Sequence, residues 1–118
     1  MHYNAEVVPA EEVDRVERLL ASHKEFMNNT HSVTGDDEAR LNSYSVIKAP
    51  EMVQFGDPSK GMTGKMIYIL SEHYETPTGL AKHLAAGSKW ADIGEMQELM
   101  YKYGVAVVMG EKVSSMNR

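Results

Sequence analysis

Two short segments of this chain consist entirely of apolar residues, and they constrain its fold more than any other feature. Residues 66–70 read MIYIL and residues 105–109 read VAVVM. Both are far too short to cross a bilayer as a helix, which takes about 20 apolar residues. Short apolar runs with β-branched and aromatic members are typical of strands buried on both faces. The sequence therefore predicts a sheet that is covered on each side, and no membrane span.

Composition narrows the class of protein further. The chain has 118 residues, 42% of them apolar and 25% charged, so we expect a single folded domain over residues 1–118. A net charge of -5 and scattered basic residues offer no concentrated positive surface, so we expect no nucleic-acid partner. The absence of cysteine excludes disulfides and thiolate-bound metals. The opening MHYNAEVV does not resemble a signal peptide, and we expect a cytoplasmic location.

The first half of the chain predicts a strand, a helix and a second strand. Apolar and polar residues alternate over residues 3–7, which is the period of a half-buried strand. After Pro9, apolar residues recur at helical spacing and predict a helix over residues 10–28. The polar stretch over residues 28–40 predicts a surface connection. Residues 41–48 are rich in β-branched and aromatic side chains, so a second strand follows.

The second half predicts a strand, a broken helix and a last strand. Residues 65–74 contain the first apolar run and predict strand three. Thr76 and Pro77 form an N-cap and first-turn pair, so a helix begins there. Apolar residues recur at helical spacing up to Gly87 and again beyond it, which predicts a helix in two pieces. Residues 105–109 are strand four.

This order, βαββαβ, predicts the ferredoxin-like fold. In that α+β fold a four-stranded antiparallel sheet carries its helices on one face. Strand three has apolar side chains on both faces, since Ile67 and Ile69 alternate with Tyr68 and Leu70. A strand face that met water would carry polar residues. The simplest cover for the free face is a second protomer, so we expect a homodimer paired through the open sheet face.

Residues 49–64 are long for a hairpin connection, which usually spans about 2–5 residues. The segment contains two prolines and three glycines, together with apolar side chains such as Phe55. A lid or dimer arm is one interpretation. A ragged extension of both neighbouring strands is the other, and the sequence favours neither.

Residues 67–84 add a resemblance to a known group of proteins. They read IYILSEHYETPTGLAKHL and resemble the strand-three-to-helix-two segment of the dimeric α/β-barrel superfamily, which includes antibiotic-biosynthesis monooxygenase-like proteins. The resemblance implies dimers whose sheets close a barrel, with a small-molecule cleft between each sheet and its own helices. Monooxygenase-like members often use a strand-one asparagine, an aromatic residue and a helix histidine. Asn4, Trp90 and His83 are the candidates here.

His83 and Trp90 lead the list of candidate site residues. His83 lies on the apolar stripe of the second helix, where a neutral imidazole could act as a general base or orient a ligand. The alternative is a core histidine bonded to a backbone carbonyl. Trp90 could stack on a flat substrate, or it could be a core or interface residue. We take His83 as the candidate catalytic residue and Trp90 as a substrate-binding residue.

Four further residues are candidates for substrate binding. Tyr68 and Tyr44 carry hydroxyls that could donate to a developing oxyanion, although burial at the dimer seam explains them equally well. His73, on predicted strand three, is the third of these candidates. Asn4 is placed by the alternation on the more polar face of strand one.

A metal site is conceivable but not expected. Glu72, His73, Glu75 and His83 offer oxygen and nitrogen ligands. Their spacing fixes neither the two-histidine helical pattern nor a facial triad. We therefore expect no metal and no other cofactor.

The expected function is binding of a small hydrophobic or aromatic molecule. The enzymatic hypothesis is a cofactor-independent, monooxygenase-like reaction on an aromatic or polyketide-like substrate. The alternatives are a non-catalytic ligand-binding or stress-associated dimer, and an interaction dimer that grips its partner with residues 49–64. No motif fixes a reaction, so the sequence leaves open whether the chain is an enzyme.

Overall fold

The computed structural model describes residues 2–31, 40–111, 113–114 and 116. These residues form β1 (His2–Val8), α1 (Val13–Thr30), β2 (Leu41–Met52), β3 (Met62–Tyr74), α2 (Pro77–Gly87), α3 (Ile93–Tyr103) and β4 (Gly104–Met109). The four strands make one antiparallel sheet in the order β2-β3-β1-β4. The predicted α+β class and antiparallel sheet are confirmed. The predicted connection over residues 28–40 lies largely outside the described residues.

The helix after β3 is broken, as the sequence predicts. Thr76 caps α2 with its hydroxyl, which accepts a hydrogen bond from the amide three residues on at 3.2 Å, and Pro77 occupies the first turn. α2 ends at Gly87, and α3 begins after a short turn. α3 passes directly into β4 at Gly104, where an added Cβ would lie 2.3 Å from the Met100 carbonyl oxygen. Glycine is required at this junction, which holds α3 close to the sheet.

Residues 49–64 are mainly an extension of the β2–β3 hairpin. β2 continues to Met52, and β3 begins at Met62, its register partner. The predicted end of β2 at residue 48 is therefore wrong. Pro50 does not stop the strand because β2 lies at the sheet edge, where a missing amide donor is tolerated, and the register shifts just beyond it.

The helices pack against one face of the sheet, and that face holds the core. One buried cluster joins β1 and β3 to α1 and α3; it consists of Val8, Val16, Leu19, Tyr68, Met96 and Leu99. A second, smaller cluster consists of Met27, Leu41 and Tyr74. Side chains alternate across a strand, so every second residue of β3 from Met66 to Tyr74 faces the helices.

β1 presents its polar side chains to the helices. Val8 belongs to the core, so His2, Asn4 and Glu6 share its face, whereas Tyr3 and Val7 lie on the open face. Asn4 and Glu6 are both buried. Buried polar groups are costly unless partners satisfy them. A hydrogen bond between the side chains of Asn4 and Glu6 offsets part of this cost, and Asn4 borders the candidate site.

Candidate functional site

A pocket of about 270 Å³ lies between the sheet and the helices. Residues from β1, β3, β4 and all three α-helices line it, among them Asn4, Leu70, Phe26, Leu84, Met96, Met100 and Val107. Most of the lining is apolar, and three of its polar residues, His2, His23 and His83, gather around Glu72. A mostly apolar concavity with a few convergent polar groups is the usual form of a small-molecule site. Its volume lies just below the roughly 300–1,000 Å³ of usual ligand pockets, so it suits a small ligand.

Glu72 is the centre of the polar end. It lies on β3, where the strand register sets it opposite His2 of β1 on one side and Tyr44 of β2 on the other. Its side chain is 0% exposed. A carboxylate this deeply buried is tolerated only when charged or hydrogen-bonding groups surround it.

Histidines from three separate elements surround that carboxylate. His83 of α2 places Nε2 at 3.2 Å from Oε2 of Glu72, and His2 of β1 places Nδ1 at 3.8 Å from the same oxygen. His23 of α1 places Nε2 at 3.9 Å from Oε1. Residues that are distant in the sequence therefore converge on one buried acid.

Tyr74 and His31 complete the arrangement. The Tyr74 hydroxyl donates a hydrogen bond to Oε2 of Glu72 and lies 3.3 Å from Nε2 of His31. The same His31 nitrogen lies 3.1 Å from Nδ1 of His83. We call Glu72, Tyr74 and the four histidines 2, 23, 31 and 83 the Glu72 cluster. It contains four of the five histidines in the chain.

The cluster shifts the proton affinities of its members. Burial raises the pKa of Glu72, but the His2 imidazole, the charge on His83 and the Tyr74 hydroxyl outweigh it, so the net shift is downward. Burial lowers the pKa of His83 to about 4 against the opposing attraction of Glu72. Burial likewise lowers the pKa of His23. At neutral pH the cluster therefore holds an ionised Glu72 beside the neutral imidazoles of His23 and His83.

Three buried polar atoms among the described residues have no hydrogen-bond partner. They are Nδ1 of His2, Oδ1 of Asn4 and Oε1 of Glu72. All three residues line the pocket. Unpaired buried polar atoms cost about 1–3 kcal/mol each, and natural proteins keep them mainly where something else binds. These atoms are free to contact a ligand.

Aromatic side chains form the wall beside the Glu72 cluster. Trp90 stacks on Phe26 with ring centroids 5.5 Å apart and an interplanar angle of 27°. It also meets His23 edge-on at 5.3 Å. A flat apolar ligand in the pocket would contact these rings, and stacking of this kind contributes about 0.5–1.5 kcal/mol beyond the buried area.

The structure brings together three of the residues that the sequence singles out. His83, Trp90 and Asn4 all line the pocket. Tyr44 stands just behind it, with its hydroxyl 3.0 Å from Nδ1 of His23, and so supports a pocket residue. Asn4 enters the pocket because the polar face of β1 turns toward the helices.

Two predicted residues lie elsewhere. The Tyr68 hydroxyl donates to Oε2 of Glu17 at 2.6 Å, and Lys48 binds the same oxygen, so Tyr68 belongs to an ion-pair group outside the pocket. His73 follows Glu72 on β3 and therefore points to the open face of the sheet. Neither contributes to the Glu72 cluster.

Sequence reasoning missed most of the Glu72 cluster. The sequence suggests Glu72 only as one of several possible metal ligands, and it does not single out His2, His23 or His31 as site residues. The available signals were local: His23 interrupts the apolar stripe of α1, and His2 begins the polar alternation of β1. Their convergence depends on the β1–β3 register and on how α1 packs on the sheet. Neither can be read from the sequence alone.

The donor set also includes a potential metal-binding group. Within the described part of the chain, His2, Glu72 and His83 each offer one ligand atom, and the three atoms lie within 4.8 Å of one another. Two imidazole nitrogens and a carboxylate oxygen are ligands that first-row transition metals accept.

Comparisons with protein-family models, with curated proteins and with solved structures found no match to this chain. Among the described residues, none of the helices is both long and apolar enough to span a membrane.

Proposed function

We propose that the protein binds one small, largely apolar molecule, aromatic or polyketide-like, in the pocket between the sheet and the helices. The observation that carries this proposal is the pairing of an apolar cavity of about 270 Å³ with the unsatisfied polar atoms of the Glu72 cluster at one end. The apolar part of the ligand would contact Trp90 and Phe26. A hydroxyl on the ligand would donate to Oε1 of Glu72 or Oδ1 of Asn4, and a carbonyl would accept from the N–H of a histidine.

His83 gives this site a capacity for proton transfer. Its pKa, lowered by burial, keeps the imidazole neutral near pH 7, so it can accept a proton from an acidic O–H or C–H of a bound ligand. Glu72, 3.2 Å away, would stabilise the resulting imidazolium. As the reaction hypothesis we propose a cofactor-independent, monooxygenase-like enzyme with His83 as its base, which rests on the sequence resemblance together with this capacity for proton transfer. The alternative function is a non-catalytic binding dimer, which would hold the ligand in the same pocket without converting it.

We also propose the ferredoxin-like arrangement and a dimer in which two sheets pack face to face. The strand order read from the other edge is β4-β1-β3-β2, which is compatible with that fold. The open face is rich in apolar residues, namely Tyr3, Val7, Ile47, Ile67, Ile69 and Val108. Ile47 is 56% and Val108 44% exposed. An apolar face of this extent is a surface that a second copy would cover.

Filling the pocket should abolish ligand binding without unfolding the protein. Gly87 lines the pocket, and a Cβ added there meets nothing within 4 Å, so we expect the side chain of Gly87→Leu to find room and to extend into ligand space. With 1-aminoanthracene as the fluorescent probe, we expect one saturable site in the wild type. In Gly87→Leu we expect at least about tenfold weaker binding.

Gly94→Leu is the matched control. Gly94 also has open space around it, but it lies on the exposed side of α3 and does not line the pocket. The two variants carry the same change in size and hydrophobicity, so a difference between them reports the pocket. Equal probe affinity in both, or no saturable probe binding in the wild type, would contradict the proposal.

A further inference from the structure

The separations among three ligand atoms of the Glu72 cluster resemble those around a bound ion. Ligands that sit about 2.0–2.2 Å from a tetrahedral or octahedral metal lie roughly 3.0–3.5 Å from one another. Nε2 of His83 lies 3.2 Å and Nδ1 of His2 lies 3.8 Å from Oε2 of Glu72. These two separations are therefore at, or slightly beyond, those that a metal imposes, and all three ligand atoms lie within 4.8 Å of one another.

The hydrogen bonds of Thr30 and His31 bear on the tautomer of His83 and on what lies between His83 and Glu72. The Thr30 hydroxyl has one proton, which it donates to the Phe26 carbonyl at 2.8 Å. When the hydroxyl proton is used in that bond, the oxygen accepts from Nδ1 of His31, 2.7 Å away, and in the corresponding neutral tautomer Nε2 of His31 is an acceptor. Nδ1 of His83 then donates to that Nε2.

This tautomer turns a lone pair of His83 toward an ionised carboxylate. Nε2 of a neutral His83 carries no proton when Nδ1 does, yet it lies 3.2 Å from Oε2 of Glu72. The Tyr74 hydroxyl cannot bridge them, because its single proton goes to the same Glu72 oxygen. Two lone pairs at this distance repel unless a cation lies between them, either a proton on the imidazole network or a metal ion.

Two further observations favour a metal. Nδ1 of His2, the ligand atom of that residue, is buried and has no hydrogen-bond partner, and the same is true of Oε1, the second oxygen of the Glu72 carboxylate. The second observation is that neighbouring side chains hydrogen-bond to the proposed ligands and orient them, as is usual around metal sites. His83 is oriented through Nδ1 by His31, and Glu72 by the Tyr74 hydroxyl.

We propose that His2, Glu72 and His83 bind one divalent transition-metal ion, of the kind that accepts two imidazoles and a carboxylate, such as zinc or iron(II). Three protein ligands leave coordination positions open. Asn4, whose Oδ1 is buried and unpartnered in the same pocket, can accept a hydrogen bond from a water on the ion. This site rests on the proposed function and deepens its ligand-binding part, because a ligand's oxygen would reach the open positions, but the three protein ligands do not depend on that ligand. With an ion bound, both ring nitrogens of His83 are engaged, so the metal site replaces the cofactor-independent reaction in which His83 is the base.

The test is calorimetric titration of the full chain, without a polyhistidine tag, using Zn²⁺ alone. We expect one zinc ion per chain. His83→Gln and Glu72→Gln should each weaken binding at least about 100-fold, since changes outside the ligand shell already cost 10–100-fold. The matched control is His73→Gln, one residue from Glu72 but on the opposite face of the sheet, which should bind zinc as the wild type does.

A second variant keeps the test decisive if Glu72→Gln fails to fold. His2 is 14% exposed at the start of β1, so His2→Gln removes a ligand with less effect on the core. It should also lose most of its zinc affinity. Co²⁺ added to the wild type should give visible absorption bands that zinc displaces. No zinc binding by the wild type, or equal affinities in His83→Gln and His73→Gln, would overturn the proposal in favour of a protonated histidine network.

The same samples separate this inference from the proposed function. Zinc binding with no 1-aminoanthracene binding supports the metal site and contradicts the apolar ligand. Probe binding with no zinc binding supports the ligand pocket and overturns the metal site.

Discussion

Replacing Glu72 by alanine is expected to lower the free energy of unfolding by about 3–5 kcal/mol. The carboxylate is 0% exposed, accepts the Tyr74 hydroxyl and lies within 4 Å of nitrogens of His2, His23 and His83. Alanine would leave a cavity and remove the acid around which these groups are arranged. Urea unfolding at neutral pH, followed by circular dichroism, measures the change.

His73→Ala is the control for that loss, because it changes the next residue of β3 on the opposite face. We expect its effect to stay within about 1 kcal/mol. Glu72→Gln should fall between the two, since it retains the volume and one acceptor oxygen but loses the charge. If Glu72→Ala and His73→Ala had similar effects, Glu72 would not be the centre of the buried cluster.

A charged residue on the open sheet face should convert the proposed dimer to monomer. Ile47 and Val108 are exposed apolar residues on this face, at the two edge strands. In a two-fold dimer each substitution occurs twice, so Ile47→Lys or Val108→Lys buries two unpaired charges. We expect the dissociation constant to rise by at least about 100-fold, which corresponds to about 2.7 kcal/mol.

Size-exclusion chromatography with light scattering measures this directly. The wild type should elute with twice the 13.2 kDa mass of one chain, and each lysine variant with the mass of one chain at the same concentration. Tyr101→Lys is the control, because Tyr101 is 90% exposed on α3 and does not lie on the sheet. A wild-type monomer, or a dimer that persists in both lysine variants, would show that the open face is not the interface.

The elements of this fold follow from local signals in the sequence. Alternation over residues 3–7 marks β1, and the stripe that includes Val16 and Met27 marks α1. The Thr76-Pro77 pair starts α2 because a side-chain cap and a fixed φ act within a few residues. β2 runs past its predicted end because the tolerance for Pro50 depends on edge position, which is a property of the sheet.

The Glu72 cluster could not be predicted in the same way. His83 stands out locally as a histidine on an apolar helix stripe, and the structure places it in the pocket. The partnership of His2 with Glu72 is set by the β1–β3 register, and that of His23 by the packing of α1 on the sheet. From the sequence, the polar residues of β1 are expected to face solvent. In the structure they face the helices, and the apolar residues Tyr3 and Val7 lie on the open face.

Binding of a small apolar molecule beside the Glu72 cluster is the central claim, and nuclear magnetic resonance tests it most directly. In a titration of the ¹⁵N-labelled wild type with 1-aminoanthracene, the indole N–H of Trp90, the single tryptophan in the chain, reports the pocket together with the amides of Gly87 and Met100. We expect saturable shifts at these three signals and none at Lys48 or at Val108 on the open face. Absent shifts at Trp90 and Gly87, or saturable shifts confined to the open face, would contradict the claim.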